Sequence, residues 1–150
     1  MLFRSPAVDL ALASGRGLFV LCLTSNKEGH EVQHARTPDG VSVAAAVAAR
    51  AAALNAGAEP LGSIGLVVGA TVGDAAARAG VDLTRVNGPL LAPGVGAQGA
   101  GAADLAHVFG RARGQVLASS SRGVLRAGPD VVALRAAAAA AAAEARSALR

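Results

Sequence analysis

The chain has 150 residues, a formal net charge of +4 and 53% hydrophobic residues, many of them alanine. This length suffices for one compact domain, 1–150, but not for a complete (β/α)8 barrel, which needs roughly 200 residues or more. The single cysteine excludes a disulfide framework within the chain, and the scattered arginines lack the density and interleaved aromatics of a nucleic-acid surface. We therefore expect solvated arginines and no nucleic-acid partner.

No segment has the pattern of a secretory signal, and no segment has the pattern of a membrane span. The alanine run 136–143 is flanked by Arg135, Glu144 and Arg146, which favours a helix because alanine has the highest helix propensity. Cys22 lies within an apolar run, which favours a buried structural thiol over a nucleophile. We expect a cytoplasmic protein with no membrane partner.

The first half of the chain alternates between strand-like and helix-like segments. In chain order we expect a helix end at 6–14 stopped by Gly15, a buried strand at Leu18–Thr24, a long polar loop at Ser25–Gly40, a helix at Val41–Ala56, a strand at Ile64–Ala70 and a helix at Thr71–Ala79. Asp74 fits a first-turn acid that interacts favourably with the helix dipole.

The second half continues the alternation. We expect a strand at Gly88–Ala92, a helix at 101–112, a strand at Gln115–Ala118, a short helical turn at Ser121–Arg126 and an alanine-rich helix over 129–150 that opens on Gly128-Pro129-Asp130. Alternating strands and helices predict a parallel sheet. The fold class is therefore α/β, with about four parallel strands, which is half of a (β/α)8 TIM barrel.

Two consecutive strand-loop-helix units carry the residues of a phosphate grip. The strand ending in Leu90-Leu91-Ala92 runs into Pro93-Gly94-Val95-Gly96-Ala97-Gln98-Gly99, and the next strand ends in Ser119-Ser120-Ser121-Arg122-Gly123. Glycines let the backbone approach a ligand closely, and successive free N–H groups form an anion cradle. A glycine loop followed by an arginine is typical of the phosphate site after the last two strands of a barrel.

Other polar residues have simpler interpretations. His30 and His34 are four apart, as metal ligands on a helix can be, but no third ligand is near, so loop histidines are favoured. Glu31 and Asp39 fit solvated loop charges. The three serines Ser119–Ser121 have no histidine or acid placed to activate them as nucleophiles.

Four segments together resemble the second half of orotidine 5′-phosphate decarboxylase, and most of all the actinobacterial-type branch of that family. The segments are Leu23-Thr24-Ser25-Asn26, Val67-Val68-Gly69-Ala70-Thr71, Leu91 to Gly99, and Ser119-Ser120-Ser121-Arg122. The resemblance covers about residues 7–135, and its Pro-Gly-Val-Gly-Ala-Gln run is specific.

This resemblance implies a barrel that removes CO2 from orotidine monophosphate to give uridine monophosphate without a cofactor. It also implies a homodimer for the complete enzyme. By the family's pattern, Gln98 and Arg122 bind the 5′-phosphate with backbone N–H groups near Gly99 and Gly123, and the loop beginning at Pro93 closes over the ligand. Ser25 matches the serine that contacts the pyrimidine, and its neighbour Asn26 is the alternative.

The family's catalytic cluster has no counterpart in these residues. Its chemistry uses an Asp-Lys-Asp cluster from a D-x-K-x-x-D strand, whereas Lys27 is the only lysine here and has no aspartate two before or three after it. We therefore assign no catalytic residue and expect the chain alone to be inactive, as the second half of a decarboxylase. The alternative is a non-catalytic phosphate-binding half barrel, or a relic of another sugar-phosphate barrel enzyme.

Overall fold

The computed structural model describes residues 6–95 and 99–150 and contains one parallel four-stranded sheet. Its strands are β1 (Leu18–Leu23), β2 (Ile64–Val68), β3 (Leu90–Pro93) and β4 (Val116–Ser119). They lie across the sheet in chain order, and every neighbouring pair is parallel. The predicted α/β class with about four parallel strands is confirmed.

Helices occupy the connections between the strands. The α-helices are α1 (Pro6–Ala13), α2 (Lys27–Gln33), α3 (Val43–Leu54), α4 (Ala75–Ala79), α5 (Ala102–Phe109), α6 (Arg122–Leu125) and α7 (Val131–Ala148), and two 3₁₀ helices span Leu83–Val86 and Gly110–Gln115. No helix among the described residues is long and apolar enough to cross a membrane.

The prediction of a long loop over Ser25–Gly40 was wrong, because α2 occupies Lys27–Gln33. His30 and His34 are therefore not loop residues: His30 lies within α2, His34 follows it as the C-cap, and their rings stack with centroids 4.2 Å apart. The segment has no apolar stripe and contains Gly29, so its sequence lacks the usual helix signal. Contacts to the end of β1, described below, hold this helix in place.

Three other helix predictions needed correction. The helix expected at Thr71–Ala79 covers only Ala75–Ala79, so Asp74 is its N-cap residue rather than a first-turn acid. The helix expected at 101–112 ends at Phe109 and continues as a 3₁₀ helix. Pro129 lies outside α7, after a cis peptide bond, and Asp130 caps the helix by accepting a hydrogen bond from the Ala133 N–H.

The core lies between the helices and one face of the sheet. Ile64, Leu66 and Leu90 are fully buried there, and small alanines of α3 and α4 allow the helices to approach closely. Cys22 is also on this face, with its Sγ 3.6 Å from the Ala44 carbonyl oxygen of α3. The predicted buried thiol is confirmed, and burial raises the pKa of Cys22 to about 12.

No described helix covers the opposite face of the sheet. Phe19, Leu21 and Leu117 point to that face and are 44%, 65% and 51% exposed. Register pairs Leu21 with Val67, Val67 with Leu91, and Leu91 with Leu117, so these side chains form one apolar row. We call these five residues the open face; they occupy the positions that line the interior of a barrel.

Candidate functional site

The loops that follow the four strands share one edge of the sheet, because all four strands are parallel. Ser25 and Asn26 follow β1, Thr71 follows β2, Gly94 follows β3 and Arg122 follows β4. In open and closed α/β sheets this carboxyl edge is where ligands bind. Every candidate site residue among the described residues therefore lies at this carboxyl edge of the sheet.

Arg122 and the start of the glycine loop line one small cavity. Pro93 and Ser119 are register partners at the ends of β3 and β4, which places the two loops side by side. The cavity has a volume of about 120 Å³. Its lining residues are Pro93, Gly94, Val95, Ser119, Ser120, Ser121 and Arg122. Arg122 therefore lies at the same end of the sheet as the start of the glycine loop.

Positive backbone φ angles shape the glycine loop. Gly94 has φ 98° and Gly99 has φ 89°, both in the region that a side chain strongly disfavours. Val95 and Ala100 form a bridge across the loop, and both are buried. The bridge thus holds the two ends of the loop next to each other. Gln98 lies outside the described residues.

The polar groups that face this cavity are uncommitted. Within 6–95 and 99–150, no hydrogen bond or ion pair involves the Arg122 guanidinium or the three serine hydroxyls. Arg122 is also the first residue of α6 and Gly123 the second, and first-turn N–H groups have no partner within a helix. A guanidinium, hydroxyls and free N–H groups together suit a tetrahedral dianion.

Ser25 and Asn26 line a second, larger cavity of about 490 Å³ beyond the ends of β1 and β2. Thr24, Lys27, Thr71, Val72, Ala75 and residues of α2 and α4 complete its wall. Ionisable side chains of His30, Glu31, His34 and Arg78 also line it. Desolvation, together with the nearby His30, Arg78 and Arg36, lowers the pKa of His34. Its imidazole is therefore mainly neutral near pH 7.

Among the described residues there is no group of three or more histidine, cysteine, aspartate or glutamate side chains that could hold a metal ion. Glu31 and Asp39 are exposed, as expected for solvated charges.

Two polar contacts at this edge had no signal in the sequence. The Asp74 carboxylate is 2.8 Å from His107 Nε2, which joins the loop after β2 to α5. The Gln33 side-chain amide forms two hydrogen bonds with Thr24, the residue that follows β1. Both contacts link residues that are distant in sequence or lie in a segment predicted as loop, so neither spacing nor periodicity could reveal them.

Comparisons with known proteins agree with this geometry. The family model for the orotidine 5′-phosphate decarboxylase / HUMPS family matches residues 5–137. Two relatives named orotidine 5′-phosphate decarboxylase are 60% identical (Salinispora arenicola, covering 97% of this chain and 51% of the relative) and 65% identical (Streptomyces coelicolor, 89% and 46%).

Solved structures agree as well. A Streptomyces avermitilis structure that carries the same enzyme's name is 62% identical, has a TM-score of 0.88 and covers 96% of this chain and 49% of that chain. The Leishmania donovani OMP decarboxylase structure is 33% identical, has a TM-score of 0.66 and covers 89% and 48%.

The chain thus spans about half the length of the curated relatives it matches. A relic of a different sugar-phosphate barrel is not favoured, because the family model covers most of the chain. The four parallel strands match half of an OMP decarboxylase TIM barrel. The chain belongs to the orotidine 5′-phosphate decarboxylase / HUMPS family.

Proposed function

We propose that this chain supplies the phosphate- and pyrimidine-binding half of an orotidine 5′-phosphate decarboxylase. The complete enzyme converts orotidine monophosphate to uridine monophosphate and CO2 without a cofactor. The ligand-binding residues are Ser25, Asn26, Pro93, Gln98, Gly99, Arg122 and Gly123. The observation that carries the proposal is the Arg122 guanidinium, which has no partner in the part of the chain that the structure describes and lies beside three serine hydroxyls and the start of the glycine loop in one small cavity.

The two cavities lie at the same edge of the sheet, which is consistent with one ligand that has a phosphate at one end and a base at the other. Ser25 follows β1 and Arg122 follows β4, so three inter-strand steps of about 4.8 Å separate their strands. The phosphate binds at Arg122 and the pyrimidine amide at Ser25. Binding energy from the phosphate, which does not react, then holds the pyrimidine ring in place.

The proposal includes no catalytic residue on this chain. Lys27 is exposed at the first position of α2, and the neighbouring Glu28 carboxylate accepts a hydrogen bond from Asn26 rather than forming an ion pair with this lysine. The complete enzyme would take its Asp-Lys-Asp cluster from elsewhere. We further propose that residues 1–150 form a single domain, since one hydrophobic cluster runs from Val8 to Ala148, and that the complete enzyme is a cytoplasmic homodimer.

Titration of uridine monophosphate against a complete barrel that contains this chain, and against the same barrel with single substitutions, tests the phosphate site. Charge-assisted hydrogen bonds contribute roughly 1.5–3 kcal/mol each, so Arg122→Ala should weaken binding by about tenfold to a hundredfold or more. Gln98→Ala should cost less, because a neutral amide forms a weaker bond. Arg126→Ala is the matched control, since Arg126 is an exposed arginine that follows α6 and does not line the cavity. Equal affinity in all four proteins would overturn the assignment.

A further inference from the structure

Gln33 fastens α2 to the end of β1 with both ends of its side-chain amide. Its Oε1 accepts a hydrogen bond from the Thr24 N–H at 2.9 Å, and its Nε2 donates to Thr24 Oγ1 at 2.7 Å. Thr24 is the residue immediately after β1 and immediately before Ser25. This pair of hydrogen bonds restrains both the position and the direction of the backbone where it enters the candidate pyrimidine site.

The hydrogen-bonded chain continues through Asn26. Thr24 Oγ1 donates to Asn26 Oδ1 at 2.5 Å, and Asn26 Nδ2 donates to Glu28 Oε2 at 3.2 Å. Each end of the Asn26 amide thus has a protein partner. The Ser25 hydroxyl, by contrast, has no hydrogen-bond partner among the described residues and lines the cavity. We call Gln33, Thr24, Asn26 and Glu28 the polar clamp.

Gly29 provides the space in which the clamp closes. A Cβ at this position would lie 2.6 Å from Thr24 Oγ1, 2.8 Å from Asn26 Oδ1 and 2.9 Å from Gln33 Nε2. Three polar atoms of the clamp therefore converge where any other side chain would begin. Glycine costs about 1 kcal/mol relative to alanine inside a helix, so its presence within α2 is unfavourable for the helix by itself.

We propose that Gln33 is a positioning residue that, through Thr24, holds the Ser25 hydroxyl towards the pyrimidine and keeps Asn26 away from it. This inference rests on the proposed function and assigns the pyrimidine contact to Ser25 rather than Asn26. Gln33 itself does not touch the ligand. Its effect is to pre-order a loop that would otherwise have to become ordered when the ligand binds.

Two variants break the clamp in different ways. Gln33→Met keeps the length of the side chain and removes both hydrogen bonds. Gly29→Ala keeps every polar group, displaces them, and raises the helix propensity of α2. A role limited to stabilising the helix would predict opposite effects of the two substitutions, whereas positioning predicts the same loss. Val32→Gln is the control, because Val32 is an exposed residue of α2 outside the cavity lining.

The binding measurement compares uridine monophosphate with ribose 5-phosphate, which has the phosphate but no base. Gln33→Met and Gly29→Ala should weaken uridine monophosphate binding about threefold to tenfold and leave ribose 5-phosphate unchanged, as expected for losing one neutral hydrogen bond. Ser25→Ala should do the same, and combining it with Gln33→Met should add no further loss. Asn26→Ala should have a smaller effect than Ser25→Ala. If Gln33→Met leaves the ratio of the two affinities unchanged, either because neither affinity falls or because both fall equally, the proposal is overturned.

Amide hydrogen exchange in the unliganded chain provides the second measurement. Exchange at Thr24, Ser25 and Asn26 should be about tenfold faster or more in Gln33→Met and Gly29→Ala and unchanged in Val32→Gln. Unchanged exchange rates in the first two variants would reject the clamp even if the wild-type chain bound neither ligand. Failure of the wild-type chain to bind either ligand would by itself count against the proposed function and not against the polar clamp.

Discussion

Side chains at the carboxyl edge differ in whether they already have hydrogen-bond partners within the protein. The Arg122 guanidinium and the Ser25 hydroxyl have no hydrogen-bond partner among residues 6–95 and 99–150, whereas Gln33 and Thr24 hydrogen-bond to each other twice. Free groups that line cavities are available to a ligand, and engaged groups next to them determine where the free ones point. This contrast distinguishes ligand-binding residues from positioning residues without reference to any bound molecule.

The pKa of His34 provides a test of the electrostatics of the larger cavity. Desolvation lowers this pKa most, and charge repulsion from His30, Arg78 and Arg36 lowers it further. Arg78→Gln should therefore raise the pKa of His34 towards its ordinary value without reaching it. NMR titration of the imidazole protons measures the change, with Arg113→Gln as a distant control. A pKa that is the same in Arg78→Gln as in the wild type would contradict the cationic contribution.

The same shift has a consequence for stability. The folded-state pKa of His34 lies below its unfolded-state pKa. At pH values between these two pKa values, the unfolded chain therefore binds the proton more readily than the folded chain. The contribution of His34 to stability is present above about pH 6.5, the ordinary histidine pKa, and declines as pH falls through that window. Since His34 is only half-buried, solvent screening keeps this effect small.

At the scale of elements, the opposite edge of the sheet is held by a buried asparagine. Asn55, the C-cap of α3, donates from Nδ2 to the carbonyls of Ile64 (2.7 Å) and Val86 (2.9 Å), and its Oδ1 accepts from the Ile64 N–H (3.0 Å). One side chain thus joins α3, β2 and the 3₁₀ helix before β3. Gly62 and Gly88 pack against it so closely that a Cβ at either would overlap it.

Asn55→Ala should be strongly destabilising, because it leaves three buried backbone groups unpaired. Each unsatisfied group costs about 1–3 kcal/mol, so we expect a loss of about 3 kcal/mol or more in the free energy of unfolding. Urea denaturation followed by circular dichroism measures it. Asn26→Ala, at an exposed asparagine, should cost less than about 1 kcal/mol. Similar losses in the two variants would show that the Asn55 bonds do not hold these elements together.

Sequence patterns predicted the strands better than the helix α2, for a physical reason. Leu18–Leu23 and Ile64–Val68 are continuous apolar runs, so their burial is encoded locally. The helix Lys27–Gln33 is polar and contains Gly29, and its position depends on the bond between Gln33 and Thr24, nine residues apart. The glycine loop and Arg122 could be predicted because a strand end precedes each. The polar clamp and the Asp74–His107 pair required the tertiary structure.

At the scale of the whole molecule, the open face is the largest departure from ordinary globular packing. Phe19, Leu21 and Leu117 remain exposed on it, and β1 and β4 are edge strands of the sheet. An exposed apolar face with unpaired strand edges favours association. In a complete barrel this face would be covered by the remaining strands.

We expect the 150-residue chain by itself to dimerise, aggregate or be poorly ordered. Replacing Leu21 and Leu117 by lysine should reduce association, because charged side chains on an exposed sheet face oppose pairing. Sedimentation velocity over a range of concentrations measures the change. Val131→Lys and Val132→Lys, at exposed valines of α7 outside the open face, form the control pair. A monodisperse wild-type monomer with a cooperative thermal transition would contradict this expectation.

The chain alone should also lack decarboxylase activity, because binding groups without a proton donor cannot complete the reaction. The resemblance implies a lysine that protonates the carbanion left by CO2, with carboxylates beside it; here the single lysine, Lys27, is exposed at the start of α2. Loss of pyrimidine absorbance from orotidine monophosphate should not exceed a control without protein. Adding the part of the Streptomyces coelicolor relative that this chain does not cover should produce turnover, and Arg122→Ala should lower that turnover more than Arg126→Ala. Turnover by the chain alone that Lys27→Ala abolishes would instead assign the catalytic role to Lys27, at the start of α2.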